Sequence, residues 1–177
     1  MKYLLRLLKV AISRGRVTAR YPKEAATVPE GLRGRPVIDF DVCIGCGACV
    51  KACPSNALTM EEHENIRAIK LFYGLCLMCG TCDEVCPVDA IRVQEEFELA
   101  SLTNKDLEEI LEFVLAQCRS CGKYYTTKRA INDVLTAYSE SVSGFDEEFK
   151  EMIYLCPDCR RRELTERFAE ASKGETV

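Results

Sequence analysis

Two cysteine runs constrain this chain of 177 residues more than any other feature. The first reads CIGCGACVKACP over 43–54 and the second CLMCGTCDEVCP over 76–87. In each, three cysteines stand two residues apart, a fourth follows after three more, and a proline comes directly behind it. A loop with that spacing presents three thiolates to one 4Fe-4S cube, while the fourth lies too far along to reach the same cube and crosses to a second one. The expected ligand sets are Cys43, Cys46, Cys49 and Cys86 for one cluster, and Cys76, Cys79, Cys82 and Cys53 for the other.

The runs are copies in register. Cys43, Cys46, Cys49, Cys53, Pro54, Ala57 and Leu58 recur 33 residues later as Cys76, Cys79, Cys82, Cys86, Pro87, Ala90 and Ile91, which implies a pseudo-two-fold. Gly47 and Gly80 fall at equivalent places, where a missing Cβ lets the backbone turn its amides toward cluster sulfurs. A disulfide framework is the rival reading of twelve cysteines, but it needs an oxidising compartment. Arg6 and Lys9 interrupt what would be the apolar stretch of a signal peptide, so a reducing cytoplasm is expected. Zinc at the eight central cysteines does not call for the terminal Cys-Pro or the crossed ligand.

Charge is divided unevenly. Residues 1–36 hold nine Lys or Arg against Glu24 and Glu30, whereas 37–177 hold fifteen against twenty-six acids. The basic end should seek an anionic surface. Over 2–16, Lys2, Arg6, Lys9, Ser13 and Arg16 fall on one helical face and Leu4, Leu5, Leu7, Leu8, Ala11 and Ile12 on the other. Such a helix is too short and too charged to span a bilayer, and would lie on the membrane plane or pack its leucines on a partner subunit or on its own domain. From Val17 to Pro36, prolines and glycines predict an extended connector.

Short strands are expected at 37–40, 57–60, 66–73 and 90–93, flanking the cysteine runs, with a polar hairpin tip at Glu61, Glu62, Glu64 and Asn65. His63, the only histidine, reads as a solvated residue in that tip. After an acidic connector at 94–100, Thr103 and Asp106 resemble a capping box opening a helix with Leu107, Ile110, Leu111, Val114 and Leu115 on one face. Cys118 and Cys121, with Cys156 and Cys159, form two C-x2-C pairs, the ligand set of a four-thiolate metal site. Zinc is the first choice there and a rubredoxin-like iron the rival. Ile131, Val134, Leu135 and Tyr138 mark a helix between the pairs, and 160–170 another starting at the second pair. Arg160, Arg161 and Arg162, in acidic surroundings, point to contact with neighbouring protein rather than nucleic acid.

The order of features resembles the two-cluster ferredoxin-like subunit of complex I and of the related membrane-bound hydrogenases. The residues that carry the resemblance are the amphipathic start, RVTARYPKE at 16–24, LRGRP at 32–36 and the paired cysteine runs, together spanning about 1–100. QEEFELA at 94–100 and the CRSC and CPDC pairs look more like the corresponding subunit of formate hydrogenlyase and its archaeal relatives. The resemblance implies a subunit with no substrate of its own, which relays electrons toward hydrogenase-like small and large subunits. It would rest on membrane-arm subunits at the cytoplasmic side of the membrane.

The expected fold is α+β: an amphipathic helix and docking arm (1–36), a bacterial two-cluster ferredoxin-like core (37–100), and a small helical metal-binding module (101–177). No nucleophile–base pair and no phosphate loop is present, so no turnover is expected of the chain alone. A free soluble ferredoxin and a nucleic-acid-binding metalloprotein are the alternatives. The first leaves 1–36 unexplained, and the acidic surroundings of 118–159 count against the second. Lys51 lies in the first run and Asp83 and Glu84 in the second, so the cluster beside the two acids is expected to have the lower potential.

Overall fold

The computed structural model describes residues 2–15, 20–24, 26–141 and 147–173. Backbone packing divides the chain after Leu32 into two units. The first holds α1 (Lys2–Arg14), whose 13 residues include none that is buried. Lys2, Arg6, Lys9 and Ser13 share a face as the spacing predicts, while Arg16 lies outside the described residues. Leu4, Leu7 and Ile12 are each about 70% exposed. Among the described residues, no helix is long and apolar enough to cross a membrane.

The second unit begins with β1 (Pro36–Ile38), α2 (Ala48–Ala52), β2 (Leu58–His63), β3 (Ile66–Phe72), α3 (Thr81–Glu84) and β4 (Ile91–Val93). Two antiparallel pairings carry the duplication. In one, Ile38 stands opposite Ile91 and Val37 opposite Arg92; in the other, Leu71 stands opposite Leu58 and Lys70 opposite Thr59. A shift of 33 residues turns each pair into its counterpart, so the sequence repeat is also a repeat of strand pairing. The strands come close to those expected from sequence, but β2 runs on through Glu61, Glu62 and His63, which pair with β3 instead of forming the tip, and the chain turns at Glu64 and Asn65. His63, at the end of β2, is exposed, 3.6 Å from Glu61.

The expected helix after Thr103 is not formed. Asn104–Leu107 make a single 3-10 turn, with Thr103 Oγ1 donating to the Asp106 carboxylate (2.8 Å), and the chain then enters β5 (Glu108–Gln117). Both periods can be drawn through this stretch, and the free edge of β3 decides between them. Unpaired strand amides and carbonyls need partners, and β5 supplies them from Ile66↔Val114 to Phe72↔Glu108. The residues turned inward are Leu111, Phe113 and Leu115, at two-residue intervals, while Ile110 and Val114 are about half exposed. β6 (Tyr124–Thr127) completes a sheet of order β2-β3-β5-β6. The segment after 100 is therefore not simply helical: it adds two strands before α4 (Lys128–Ser141), α5 (Glu147–Ile153) and α6 (Pro157–Lys173). The helices expected around 131–138 and 160–170 are present, while α5 carried no clear signal.

The main core gathers Leu58, Ile69, Leu71, Ile91, Leu111 and Phe113 between the sheets and the cysteine loops. Several cysteines pack against it, so folding of this part and occupancy of its thiols are linked.

Candidate functional site

The cysteine loops are shaped by backbone positions in the left-handed region, and these too repeat at 33 residues. Gly45 and Met78, Gly47 and Gly80, and Asn56 and Asp89 all have φ between 51° and 84°. Gly47 and Gly80 stand immediately before α2 and α3, where positive φ reverses the chain so that the next cysteine faces back toward the loop.

Folding brings the thiols together four by four. Cys43, Cys46 and Cys49 line a cavity with Cys86 from the other run, walled by Ile38, Ile44, Ile69, Ile91 and Leu111. Cys76, Cys79 and Cys82 line a second with Cys53, walled by Pro36, Leu58, Leu71, Leu77 and Val93. Counting their mouths, the two are nearly equal, about 420 and 370 Å³. Among the described residues, no charged side chain lines either one. No disulfide joins any of the twelve cysteines.

Burial pushes the Cys49 thiol up to about 12 and Cys82 up to about 11, and raises Cys43. Such thiols give up their protons when a cation arrives to hold the sulfur. Cys53 is lowered, because hydrogen bonds from Leu58, Ser55 and Ala57 outweigh its desolvation. Thr81 lowers Cys79 through a 3.4 Å contact with its sulfur. Backbone amides also reach sulfur, Ala90 at Cys86 (3.1 Å) and Met78 at Cys76 (3.4 Å). Four sulfurs, apolar walls and amides aimed at sulfur are the donor set and surroundings of a 4Fe-4S cluster, and the residues fit that group at both places.

The two loops differ in what covers them. Over the first lie Phe113 of β5 and Thr127 of β6, so close that a Cβ on Gly45 would meet them at 2.8 and 2.9 Å. Thr127, fully buried, donates to the Ile44 carbonyl at 2.5 Å. Arg67, 8% exposed, donates to the Gly45 carbonyl (2.9 Å) and pairs with Glu62 (2.7 Å). Arg129 donates to the carbonyls of Phe40 and Cys43. Sequence reading missed all four residues, since none belongs to a motif and each acts through a contact distant in the chain. The second loop has a lighter cover: Leu75 and Leu77 are 53% and 67% exposed, and Arg33 donates to the Cys79 carbonyl from the surface (3.3 Å). Asp83 spends one carboxylate oxygen on the Val93 amide (3.0 Å).

A third centre lies at the end of the sheet. The sulfurs of Cys118, Cys121, Cys156 and Cys159 all lie within 4.8 Å of one another, and every one but Cys121 is buried. The first pair sits on a knuckle closed by the Gly122 amide on the Cys118 carbonyl (2.9 Å), with Gly122 at φ 72°. The second pair opens α6. Desolvation pushes Cys118 up, but amides of Cys156, Cys121 and Ser120 overcome it and bring the thiol down to about 6. Of the three arginines, Arg161 and Arg162 are exposed, while Arg160 is half-buried against the chain itself. Arg160 donates to the carbonyls of Met152, Ile153 and Leu155 at the end of α5, and Arg162 reaches the Cys159 sulfur (3.6 Å). Four thiols in a closed set suit a single tetrahedral metal ion.

Paired four-cysteine cavities on a duplicated strand-and-loop frame define an iron–sulfur protein of the dicluster type, and the profile of the 4Fe-4S dicluster domain matches residues 42–90. Formate hydrogenlyase subunit 6 of Escherichia coli (strain K12) is 39% identical over 157 residues, 88% of this chain and 87% of that protein. The chain belongs to the family of formate hydrogenlyase subunit 6. It is also 39% identical to the chloroplastic NAD(P)H-quinone oxidoreductase subunit I of Chara vulgaris, over 62 residues that make up 34% of this chain and 39% of that one. A chain of the membrane-bound sulfane sulfur reductase, an archaeal respiratory membrane complex, aligns with 56% of this chain over 58% of its own, at 27% identity. Its TM-score of 0.41 is too loose a likeness to place any residue.

Proposed function

We infer that this chain is the electron-relaying subunit of a membrane-associated, complex I-like hydrogenase or related oxidoreductase complex, and does no catalysis alone. The observation that carries the reading is the exchange of cysteines: each cavity takes three sulfurs from one run and the fourth from the other. Cys43, Cys46, Cys49 and Cys86 would hold one 4Fe-4S cluster, and Cys76, Cys79, Cys82 and Cys53 the other. A 4Fe-4S cluster supplies one-electron transfer at a potential set by its hydrogen bonds, nearby charge and exposure. The chain's own part is to fix eight thiolates, keep charged side chains out of the cavity walls, and aim amides at sulfur. Cys118, Cys121, Cys156 and Cys159 would hold one zinc, or a rubredoxin-like iron, that ties β6 to α6.

The arm over 1–36 would dock the subunit, with the cluster domain at 37–100 and the metal-bearing extension at 101–177. Its support is α1, whose leucine face is exposed while its other face is basic, as suits an anionic membrane surface or a membrane-arm subunit. Electrons would pass to hydrogenase-like small and large subunits at the cytoplasmic side of the membrane, with no nucleic acid involved. Anaerobic purification from membranes tests all of this. About eight cluster irons per chain, reduced-cubane EPR and co-eluting nickel-bearing subunits are expected; four irons or fewer, or a wholly soluble lone chain, would defeat it.

A further inference from the structure

Arg129, the second residue of α4, is held by its surroundings rather than by a counter-ion. Its guanidinium donates to the carbonyl of Phe40 and, at 3.3 Å, to that of Cys43. It lies 4.2 Å from the centre of the Phe40 ring and 5.7 Å from that of Phe113. Asp41 and Asp133 line the same cleft, yet among the described residues no carboxylate comes within ion-pair distance of it. A guanidinium does not deprotonate in a protein, so the charge is permanent. The helix adds to it: Thr127 accepts from the Ala130 amide (3.1 Å) as an N-terminal cap and donates to the Ile44 carbonyl. The positive end of α4 thus meets the residue after Cys43.

The other guanidiniums near the cysteine loops are weaker sources. Arg67 is neutralised by Glu62 at 2.7 Å. Arg33 touches the Cys79 carbonyl from an exposed position, where water and salt screen it.

We propose that Arg129 raises the reduction potential of the group held by Cys43, Cys46, Cys49 and Cys86, so that the segment after residue 100 sets the energetics of electron transfer across the chain. The physical reason is that reduction adds negative charge, which a fixed neighbouring cation stabilises. The effect reaches the cluster through a carbonyl of one of its own ligand residues, and the half-buried Arg129 is screened less than an exposed cation would be. Arg129 is thus a positioning and potential-setting residue, not a ligand. The proposal rests on the two-cluster reading above.

The test is an EPR-monitored redox titration of the full chain, purified anaerobically with its clusters, with iron counted in every sample. Arg129→Gln and Arg129→Met should each lower one midpoint by at least about tenfold in the reduction equilibrium, about 59 mV for one electron, and leave the other in place. Met keeps an unbranched stem against Phe40 and Phe113, so packing is separated from charge. Arg129→Lys should keep most of the potential, and Arg33→Gln should move the other midpoint by less. Unchanged midpoints in both charge-removing variants, with about eight irons present, overturn the proposal while leaving the two-cluster reading intact. Loss of iron in all three Arg129 variants also overturns it, because the residue would then serve only to hold the loop. About four irons or fewer in the unsubstituted chain defeats the two-cluster reading, and the proposal with it.

Discussion

The two cysteine loops, 43–49 and 76–82, are the same object in two settings. They share left-handed positions, a glycine before a short helix, and a fourth sulfur from the other run. The strands beside them are duplicated too, but the cover is not: Phe113, Thr127, Arg67 and Arg129 close over the first, while the second keeps Leu75 and Leu77 at the surface. Duplication therefore accounts for how the sulfurs are arranged, and the unduplicated remainder of the chain for what distinguishes one site from the other. Gly45 shows this at one residue. Its counterpart Met78 carries a half-buried side chain at a similar φ, whereas Phe113 and Thr127 leave no room for a Cβ on Gly45.

The comparison is broken most severely by exchanging its shared part. Cys53→Ser should remove the cluster of the second run and spare that of the run in which it stands, and Cys86→Ser should do the reverse. Iron would fall to about half in each, and EPR would show which signal survives. Loss of the same signal in both variants would sink the crossed assignment.

Gly45→Ala should come next. It combines a left-handed cost of about 1–2 kcal/mol with overpacking of about 1–3 kcal/mol against Phe113 and Thr127. Met78→Gly should be nearly neutral, since relief of the positive φ is offset by added backbone freedom worth about 0.5–1 kcal/mol. Denaturant unfolding of the loaded proteins reads both, and equal losses would contradict the unequal cover.

Chelating the metal proposed at Cys118, Cys121, Cys156 and Cys159 should loosen β6 and, through Thr127, the first loop. Amide exchange would then rise over 43–47 more than over 76–80. An equal rise at both loops would contradict this coupling.

The mildest test is Asp83→Asn with Glu84→Gln. It should raise the potential of one cluster by less than about tenfold in the reduction equilibrium, because Glu84 is exposed and Asp83 already accepts the Val93 amide. No shift would remove the charge argument for the second loop.

Cysteine spacing, the 33-residue repeat and the paired glycines were enough to foresee the two groups of four sulfurs and the four short strands around them. Their information is local: each motif turns its own loop, and the fourth cysteine finds the other loop because duplication makes the halves face one another. The C-x2-C pairs likewise announced the third group, whose sulfurs do converge. Helical spacing through 107–115 misled, since an apolar set at period 3.6 also contained Leu111 and Leu115, and Phe113 was left out of it. What made that segment a strand was the unpaired edge of β3, a partner that no window of sequence around Phe113 contains. Arg129 is further still from local reading, 86 residues from Cys43. The chain alone determined where cysteine sulfurs would gather; the sheet that β5 and β6 join decided which loop would be covered and given a cation, because those are properties of neighbours rather than of motifs.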